Sequence, residues 1–312
     1  MNAPTKTQWT TRELLKWMAG AFEAKGLESA RVLAELLMGH VLGCERIRLY
    51  MEADRPASAD ERERLRALVA RALRHEPVQY LVGEAVFFTH SFVVDPRVLI
   101  PRPSSAVLVE TVIEHAKRTG RHAVNPYDDA SEGDGDDAPA HTATPMTIAD
   151  VCTGSGCLAI SLAKAIPSAT VIATDLSVEA LEVARLNAER LGVSDRVEFV
   201  GGDLLVPLVG RTFDAVVANP PYIPDHEWES VEANVKDHEP ALALRSSPDG
   251  LRHAEPILEG VRELLTEGGV FAVEVASSTA ARALEIARGA GFDDARVVND
   301  FEGLERAVVG TR

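Results

Sequence analysis

The chain has 312 residues, of which 46% are hydrophobic, and its formal net charge is −16. This length and composition predict a globular protein with one substantial domain and a smaller one. The acidic balance argues against a protein that binds nucleic acid through its phosphates, because such proteins carry a basic surface. The charge is also uneven, since residues 1–110 are nearly neutral and the excess of Asp and Glu follows them.

Two further classes are disfavoured by the sequence. No apolar run reaches membrane-spanning length, and the polar start MNAPTKTQWT lacks a signal-peptide core, so a cytoplasmic protein is expected. The three cysteines, Cys44, Cys152 and Cys157, have no metal-ligand spacing and form no evident disulfide framework. We therefore expect no metal site.

The N-terminal part of the chain shows helical periodicity. Apolar residues recur at helical spacing from Thr10 to about Arg74, which predicts a small helical bundle over residues 1–78. Thr11 and Ser58 are the predicted starts of two of its helices. The pattern leaves open whether this bundle is a packing module or a substrate-recognition domain.

A segment of different character, residues 79–104, follows the bundle. Two apolar runs, Val86–Phe88 and Ser91–Val94, predict a β-hairpin that bridges the two domains. Arg102 then stands between two prolines, which fix an extended backbone and point the arginine in one direction. Arg102 is thus part of either a rigid linker or a wall of the active site. A helix is predicted from about Ser105 to Lys117.

The next stretch, residues 119–145, is acidic and rich in Gly, Ala, Pro and Thr. Its low hydrophobicity and clustered like charge cannot compensate the entropy lost on ordering. We expect a mobile surface insertion without a catalytic role.

From Met146 onward, strands and helices alternate. Such alternation predicts a mainly parallel sheet covered by helices on both faces, here closed by an antiparallel strand pair. The predicted strands are Thr147–Cys152, Thr170–Thr174, Val197–Val200, Phe213–Ala218, Val270–Val275, Ala295–Asn299 and Glu305–Val309. The predicted helices are Gly156–Ile166, Val178–Leu191, Ala254–Leu265 and Thr279–Ala290.

The tetrapeptide Asn219-Pro220-Pro221-Tyr222 follows the apolar strand Phe213–Ala218 directly. Two successive prolines cannot continue a strand, so Asn219 should lie at the strand tip, where open α/β sheets place their ligands. A planar amide held by stiff backbone beside an aromatic ring can grip another planar group that carries an NH2. Adenine, cytosine and glutamine all meet that description.

Three other strand tips complete a nucleotide-like site. The loop Asp150–Gly156 carries two glycines between a strand and a helix, which lets the backbone approach a ligand closely. Asp175 ends the next strand, where a carboxylate can accept hydrogen bonds from two ribose hydroxyls. This pair suits NAD as well as S-adenosylmethionine. Asp203, after the third strand, can meet an adenine amino group while Leu204 frames the ring.

With these motifs, the sequence resembles the class I S-adenosylmethionine-dependent methyltransferases, and within them the HemK/PrmC family of protein-(glutamine-N5) methyltransferases. The resemblance implies a Rossmann-like seven-stranded sheet over residues 105–312 behind the helical bundle. It also implies methylation of the glutamine in the Gly-Gly-Gln motif of peptide chain release factors. We separately expect a monomer, and the acidic balance predicts no direct binding of nucleic acid. The segments that carry the resemblance are Pro77–Gly83, Leu99–Pro103, Asp150–Gly156, Asn219–Tyr222 and His238–Leu244.

The resemblance also implies roles for individual residues. The catalytic residues would be Asn219, Pro220 and Tyr222, and the substrate glutamine would lie among Asn219, Pro220, Pro221, Tyr222 and Arg102. S-adenosylmethionine would be held by Cys152, Thr153, Gly154, Ser155 and Gly156 at its methionine part, Asp175 at the ribose, Asp203 and Leu204 at the adenine, and Asn219 near the methyl group.

Alternatives to that substrate remain open. The family usually continues Ile-Pro-Arg-Pro with Asp-Thr-Glu, whereas this chain has Ser104-Ser105-Ala106. The run Val94–Leu99 looks similar to sister enzymes that methylate a glutamine of a large-subunit ribosomal protein. An adenine-N6 nucleic-acid methyltransferase could use the same tetrapeptide on a flipped base. A binding module that has lost methyl transfer should have lost Asn219 or Asp175, and both are present.

Overall fold

The structure, a computed structural model, describes residues 8–121 and 144–312. The chain forms two compact units. The smaller comprises Met1–Glu84 and Glu232–His238, and the larger comprises Ala85–Val231 and Glu239–Arg312. The acidic insertion predicted at 119–145 falls almost entirely outside the described residues. Among the residues that are described, no helix is long and apolar enough to cross a membrane.

The smaller unit is helical, as the sequence predicts. Its buried core is formed chiefly by its first two helices, with Met18, Phe22, Leu37 and Met38 fully buried. The helices are α1 (Thr11–Ala24), α2 (Ala30–Leu42), α3 (Arg46–Met51), α4 (Ala59–Ala72) and α5 (Val78–Val82), and the short helix Ala233–Lys236 belongs to the same unit.

Two capping boxes set the starts of α1 and α4. The Thr10 hydroxyl accepts from Glu13 N at 3.4 Å while the Glu13 carboxylate accepts from Thr10 N at 3.1 Å. The N-cap of α1 is therefore Thr10, and the prediction of Thr11 was wrong by one residue. Ser58 caps α4 in the same reciprocal way, as predicted. Each box satisfies two amides that the first helical turn leaves without partners.

The larger unit begins with a hairpin and ends in a sheet. The hairpin strands are β1 (Glu84–Phe87) and β2 (His90–Val93), and α6 (Ala106–Arg118) follows the Arg102 segment. The remaining elements are β3 (Met146–Val151), α7 (Cys157–Ala165), β4 (Ala169–Asp175), α8 (Val178–Arg190), β5 (Val197–Gly201), β6 (Phe213–Ala218), α9 (the Ala233–Lys236 helix of the smaller unit), α10 (Ala254–Leu264), β7 (Leu265–Glu274), α11 (Ala280–Gly289), β8 (Arg296–Asn299) and β9 (Glu305–Thr311).

The sheet confirms the predicted fold class. Its seven strands run in the order β5-β4-β3-β6-β7-β9-β8, with β3 to β7 parallel and with β9 antiparallel to both β7 and β8. Apolar side chains pack on both faces, and all six residues of β6 are buried. Strands β4 and β5 lie on one side of β3, whereas β6 and β7 lie on its other side. A crevice therefore opens between the ends of β3 and β6, the usual ligand site of such sheets.

Candidate active site at the carboxyl ends of the parallel strands

A cavity of about 290 Å³ lies in the larger unit at these strand ends. Its volume is near the lower end of small-molecule sites, which run from about 300 to 1,000 Å³. The structure brings most of the predicted site residues to this one cavity. Those that line it are Arg102, Cys152, Thr153, Gly154, Ser155, Asp175, Asp203, Leu204, Asn219 and Pro221, whereas Gly156, Pro220 and Tyr222 do not.

Asp150, near the end of β3, holds the loop that follows this strand. Its Oδ2 accepts from the Thr153 hydroxyl at 2.6 Å and from Ala159 N at 3.1 Å, which ties the loop to the first turn of α7. Asp150 is fully buried, and burial raises the pKa of its carboxyl to about 7. The sequence motif predicted no separate role for Asp150. A carboxylate at a strand end before a glycine loop was the available signal.

Gly156 is required by packing, and it does not face the cavity. Its φ is +80°, and a Cβ there would lie 2.9 Å from Ile160 Cδ1 and 3.1 Å from Ala184 Cβ. Any side chain would therefore be strained and would push α7 from α8. Gly154, with φ of +56°, is the glycine that lines the cavity, and a Cβ there would meet no atom.

Asp175, the last residue of β4, fixes the loop from the other side. Its Oδ2 accepts from Gly154 N and its Oδ1 accepts from Ser177 N, both at 2.9 Å. Each carboxylate oxygen can accept a second hydrogen bond, so two acceptor positions remain for a ligand diol. Burial raises the pKa of Asp175, and the backbone amides oppose that rise.

The turn after β5 forms another wall. Gly202 N donates to Asp175 O at 3.0 Å, and a Cβ on Gly202 would lie 2.3 Å from Pro207 Cγ. Leu204 has φ of +43°, a strained value for a residue with a side chain. Asp203 and Leu204 are thereby presented to the cavity by a turn that only glycine at position 202 allows.

Asn219, at the tip of β6, is oriented by a residue distant in sequence. Its Nδ2 donates to Ser105 Oγ at 3.1 Å. Its Oδ1 accepts no hydrogen bond from any residue that the structure describes. In the sequence, Ser105 stood out only as a departure from the family pattern. Position 105 nonetheless keeps a hydroxyl, as the threonine of that pattern would.

Arg102 lines the cavity and is anchored by Glu239. Arg102 Nη2 lies 2.5 Å from Glu239 Oε1, and Ile100 N donates to the second oxygen at 2.9 Å. Glu239 is buried, which raises the pKa of its carboxyl while the Arg102 charge opposes that rise. Glu239 thus fixes a cavity wall, whereas the preceding residue, His238, belongs to the smaller unit.

Tyr222 follows the two prolines with its hydroxyl directed inward. The residue is partly exposed, but the hydroxyl is buried beside the Glu274 carboxyl, and burial raises the pKa of the phenol. Cys152 and Cys157 are half-buried, and the loss of water around the thiols raises the pKa of Cys152 and brings that of Cys157 to about 12. Both thiols stay protonated near neutral pH and are poor nucleophiles. Within residues 8–121 and 144–312, no three His, Cys, Asp or Glu side chains are grouped to hold a metal ion.

Comparisons with known proteins match two segments of the chain. A family model described as the PrmC N-terminal domain matches residues 13–83, and one described as the methyltransferase small domain matches residues 139–238.

Similar full-length proteins include three named release factor glutamine methyltransferase. That of Chlorobaculum tepidum is 41% identical over 98% of both chains. That of Geobacter sulfurreducens is 36% identical over 97% of this chain and 96% of the other, and that of Rhodopirellula baltica is 35% identical over 96% and 95%.

Among solved structures, the hMettl16 catalytic domain in complex with MAT2A 3'UTR hairpin 6 matches with a TM-score of 0.51. The match covers 82% of this chain and 84% of that one at 14% identity, and it therefore shows a shared fold alone.

Proposed function

The chain belongs to the release factor glutamine methyltransferase family, and we propose that it methylates the N5 side-chain amide of the glutamine in the Gly-Gly-Gln motif of peptide chain release factors. It is a methyltransferase, and its methyl donor is S-adenosyl-L-methionine. One observation carries the proposal. Asn219 donates to Ser105 and leaves its Oδ1 as an acceptor at the cavity, where an N–H of the substrate amide can bind.

The cavity residues fit the donor's parts. The spare acceptor positions on Asp175 suit two ribose hydroxyls, and the turn that ends in Asp203 and Leu204 suits an adenine ring and its amino group. The loop from Cys152 to Ser155 would border the methionine part. Bound S-adenosyl-L-methionine supplies an electrophilic methyl group on a sulfonium sulfur.

Asn219 and its neighbours then orient the amide. The lone pair of an amide nitrogen is delocalised into the carbonyl, so the nitrogen is a weak nucleophile. If Asn219 Oδ1 and the Pro220 carbonyl each accept one N–H, the lone pair is directed at the methyl carbon, and the positive charge that grows on nitrogen meets two acceptor dipoles. A bond forms between nitrogen and carbon, the bond from carbon to sulfur breaks, and one N–H proton is lost to solvent. Tyr222 would help to hold Asn219 and the two prolines in place, and Arg102 would contact the substrate from the cavity wall.

The net charge of −16 supports a protein substrate over a nucleic acid, because phosphate binding requires a basic surface. We propose that the chain acts as a monomer, without nucleic acid, in the cytoplasm where release factors work.

Incubation with methyl-labelled S-adenosyl-L-methionine and a purified release factor tests this function. A factor that carries Gly-Gly-Gln should be labelled, and the matched factor that carries Gly-Gly-Ala should not. Labelling of both would overturn the glutamine assignment. If neither factor is labelled but a ribosomal protein or a duplex DNA is labelled in a parallel reaction, that molecule is the substrate instead of the release factor.

A further inference from the structure

Ser105 occupies the N-cap position of α6 but does not cap the helix with its side chain. Its hydroxyl instead accepts the hydrogen bond from Asn219 Nδ2, and the residue is 2% exposed. A serine hydroxyl carries one proton. Because Ser105 Oγ is the acceptor in this bond, its own proton is available for a different partner.

Glu274, the last residue of β7, lies next to Asn219 at the strand tips, because Ala218 of β6 pairs with Val273 of the adjacent β7. It is fully buried, and neither carboxylate oxygen has a hydrogen bond of normal geometry to a described residue. The hydroxyls of Ser105 and Tyr222 are nevertheless close enough to lower the pKa of the carboxyl. A buried carboxylate left without a regular partner is costly, which suggests that it is retained for a purpose other than stability.

We propose that Glu274 is a positioning residue that fixes the direction of the Asn219 amide through the Ser105 hydroxyl. The proposal rests on the proposed function, since it concerns which atom of Asn219 meets the substrate amide.

The donors and acceptors around the Ser105 hydroxyl set the direction of the Asn219 amide. An ionised carboxylate can only accept, so a hydrogen bond between the two groups uses the Ser105 proton. When that proton turns toward Glu274, the Ser105 oxygen can only accept from Asn219. Asn219 therefore presents Nδ2 to Ser105 and Oδ1 to the cavity. Without a fixed hydroxyl, the Asn219 amide can turn over. Its NH2 would then face the NH2 of the substrate, two donors that cannot bind each other.

Several charged or titratable groups face Glu274. Arg306 of β9 favours the ionised carboxylate, while Asp300 opposes it, and these two are paired with each other at 3.0 Å. The Tyr222 hydroxyl and the Cys157 thiol are the other titratable neighbours. Burial dominates and raises the pKa of Glu274 to about 7. Below that pH the protonated carboxyl can donate to Ser105, which releases the constraint on Asn219, so kcat should fall as the pH decreases.

The first experiment measures kcat and KM for the release factor with the parent, Glu274→Gln, Ser105→Ala and the double variant. Each single change should lower kcat by about tenfold, with KM for S-adenosyl-L-methionine within about threefold of the parent. The double variant should be no slower than Ser105→Ala, because Glu274 acts through that hydroxyl. Multiplicative losses would overturn the proposal.

A matched pair of variants distinguishes loss of the hydroxyl from misfolding. Threonine and valine have the same shape and differ by one hydroxyl, so Ser105→Thr should keep most of the activity while Ser105→Val should not. Equal activities of the two variants would contradict the proposal. The acidic limb of the kcat profile, with a midpoint near pH 7, should be absent in Glu274→Gln, and its persistence there would also contradict it.

A second experiment needs no substrate. The side-chain amide of Asn219, assigned in 15N NMR spectra by its absence from Asn219→Ala, should shift with a midpoint near pH 7 in the parent and stay constant in Glu274→Gln. His253, which also borders the cavity, is present in both proteins and serves as the internal control. An amide signal that is insensitive to pH in the parent would overturn the relay. A titrating amide without release-factor labelling would instead overturn the proposed function alone.

Discussion

Arg102 and Glu239 stand 137 residues apart in the sequence, and Arg102 Nη2 lies 2.5 Å from Glu239 Oε1 at the wall of the cavity. The Arg102 side chain is 30% exposed and that of Glu239 is 1% exposed, so the carboxylate is the buried anchor and the guanidinium is the group presented to a ligand. Glu239 also accepts from Ile100 N, which fixes the backbone just before Arg102.

Glu239→Gln should therefore loosen this wall. The amide still offers an acceptor to Ile100 N but removes the charge that holds Arg102, so we expect a loss of about 1–3 kcal/mol in the free energy of unfolding. KM for the release factor should rise several-fold, while Kd for S-adenosyl-L-methionine stays close to that of the parent. Urea unfolding and steady-state kinetics measure these effects. The control is Glu198→Gln, which breaks an exposed pair with Arg211 and should cost less than about 1 kcal/mol.

Asn219→Ala should separate binding of the methyl donor from transfer. The substitution removes the only side-chain acceptor proposed for the substrate amide, so kcat should fall by about 100-fold or more. Binding of S-adenosyl-L-methionine, measured by calorimetry, should change by less than about threefold because its ribose and adenine contacts lie elsewhere. Asn299→Ala, the same change at an exposed position of β8, serves as the control. Transfer near the parent rate in Asn219→Ala would refute the mechanism.

Asp175→Asn should weaken binding of the methyl donor. The carboxylate accepts from Gly154 N and Ser177 N with different oxygens, and an asparagine offers only one acceptor oxygen. The backbone amide that meets the new NH2 loses its acceptor, and the ribose hydroxyl on that side can no longer donate to the side chain. We expect Kd for S-adenosyl-L-methionine to rise by about 10- to 100-fold by calorimetry. The exposed Asp195→Asn variant should bind as the parent does, and an unchanged Kd in Asp175→Asn would exclude the assigned ribose role.

Glu274→Gln should change how stability depends on pH. The pKa of Glu274 is about 7 in the folded protein against an ordinary value of 4.5, so the folded state binds more protons between these values. The parent should therefore lose stability as the pH rises from about 4.5 to 7, and the neutral glutamine should not. The difference in free energy of unfolding between the two proteins should grow by up to about 3 kcal/mol across that window. A difference that stays constant from pH 5 to pH 8 in urea unfolding would show that Glu274 is ionised throughout. Asp150 titrates in both proteins, so its contribution cancels in the difference between their free energies of unfolding.

The alternation of strands and helices predicted most of the sheet, because apolar periodicity is a local property of the chain. The bounds of β6 were predicted to the residue. The start of β7 was placed at Val270, whereas the strand begins at Leu265. The first five residues of the strand were missed because they include Gly268 and Gly269, and glycine is unfavourable inside strands. The glycines are needed there because a Cβ on Gly269 would lie 2.9 Å from Thr266 O.

The site was predictable where it depends on strand tips and not where it depends on contacts between distant segments. Asp175 ends a strand, and Asp203 and Asn219 come within two residues of a strand end, so one topological rule places all three at the same edge. Ser105 is separated from Asn219 by 114 residues, and no local pattern links them. Glu274 was hidden for a different reason, because an acidic residue that ends an apolar strand is normally expected to face solvent.

The smaller unit is discontinuous in sequence, since it takes residues up to Glu84 and then Glu232–His238. During synthesis from the N-terminus, the ribosome must add about 150 further residues before the last piece of this unit exists. The helices α1–α5 can form early, but the unit reaches its full set of contacts only after β6 and the Asn219 segment have been translated. A fragment that ends near Glu84 should consequently unfold at lower urea concentration than the same helices do in the whole chain.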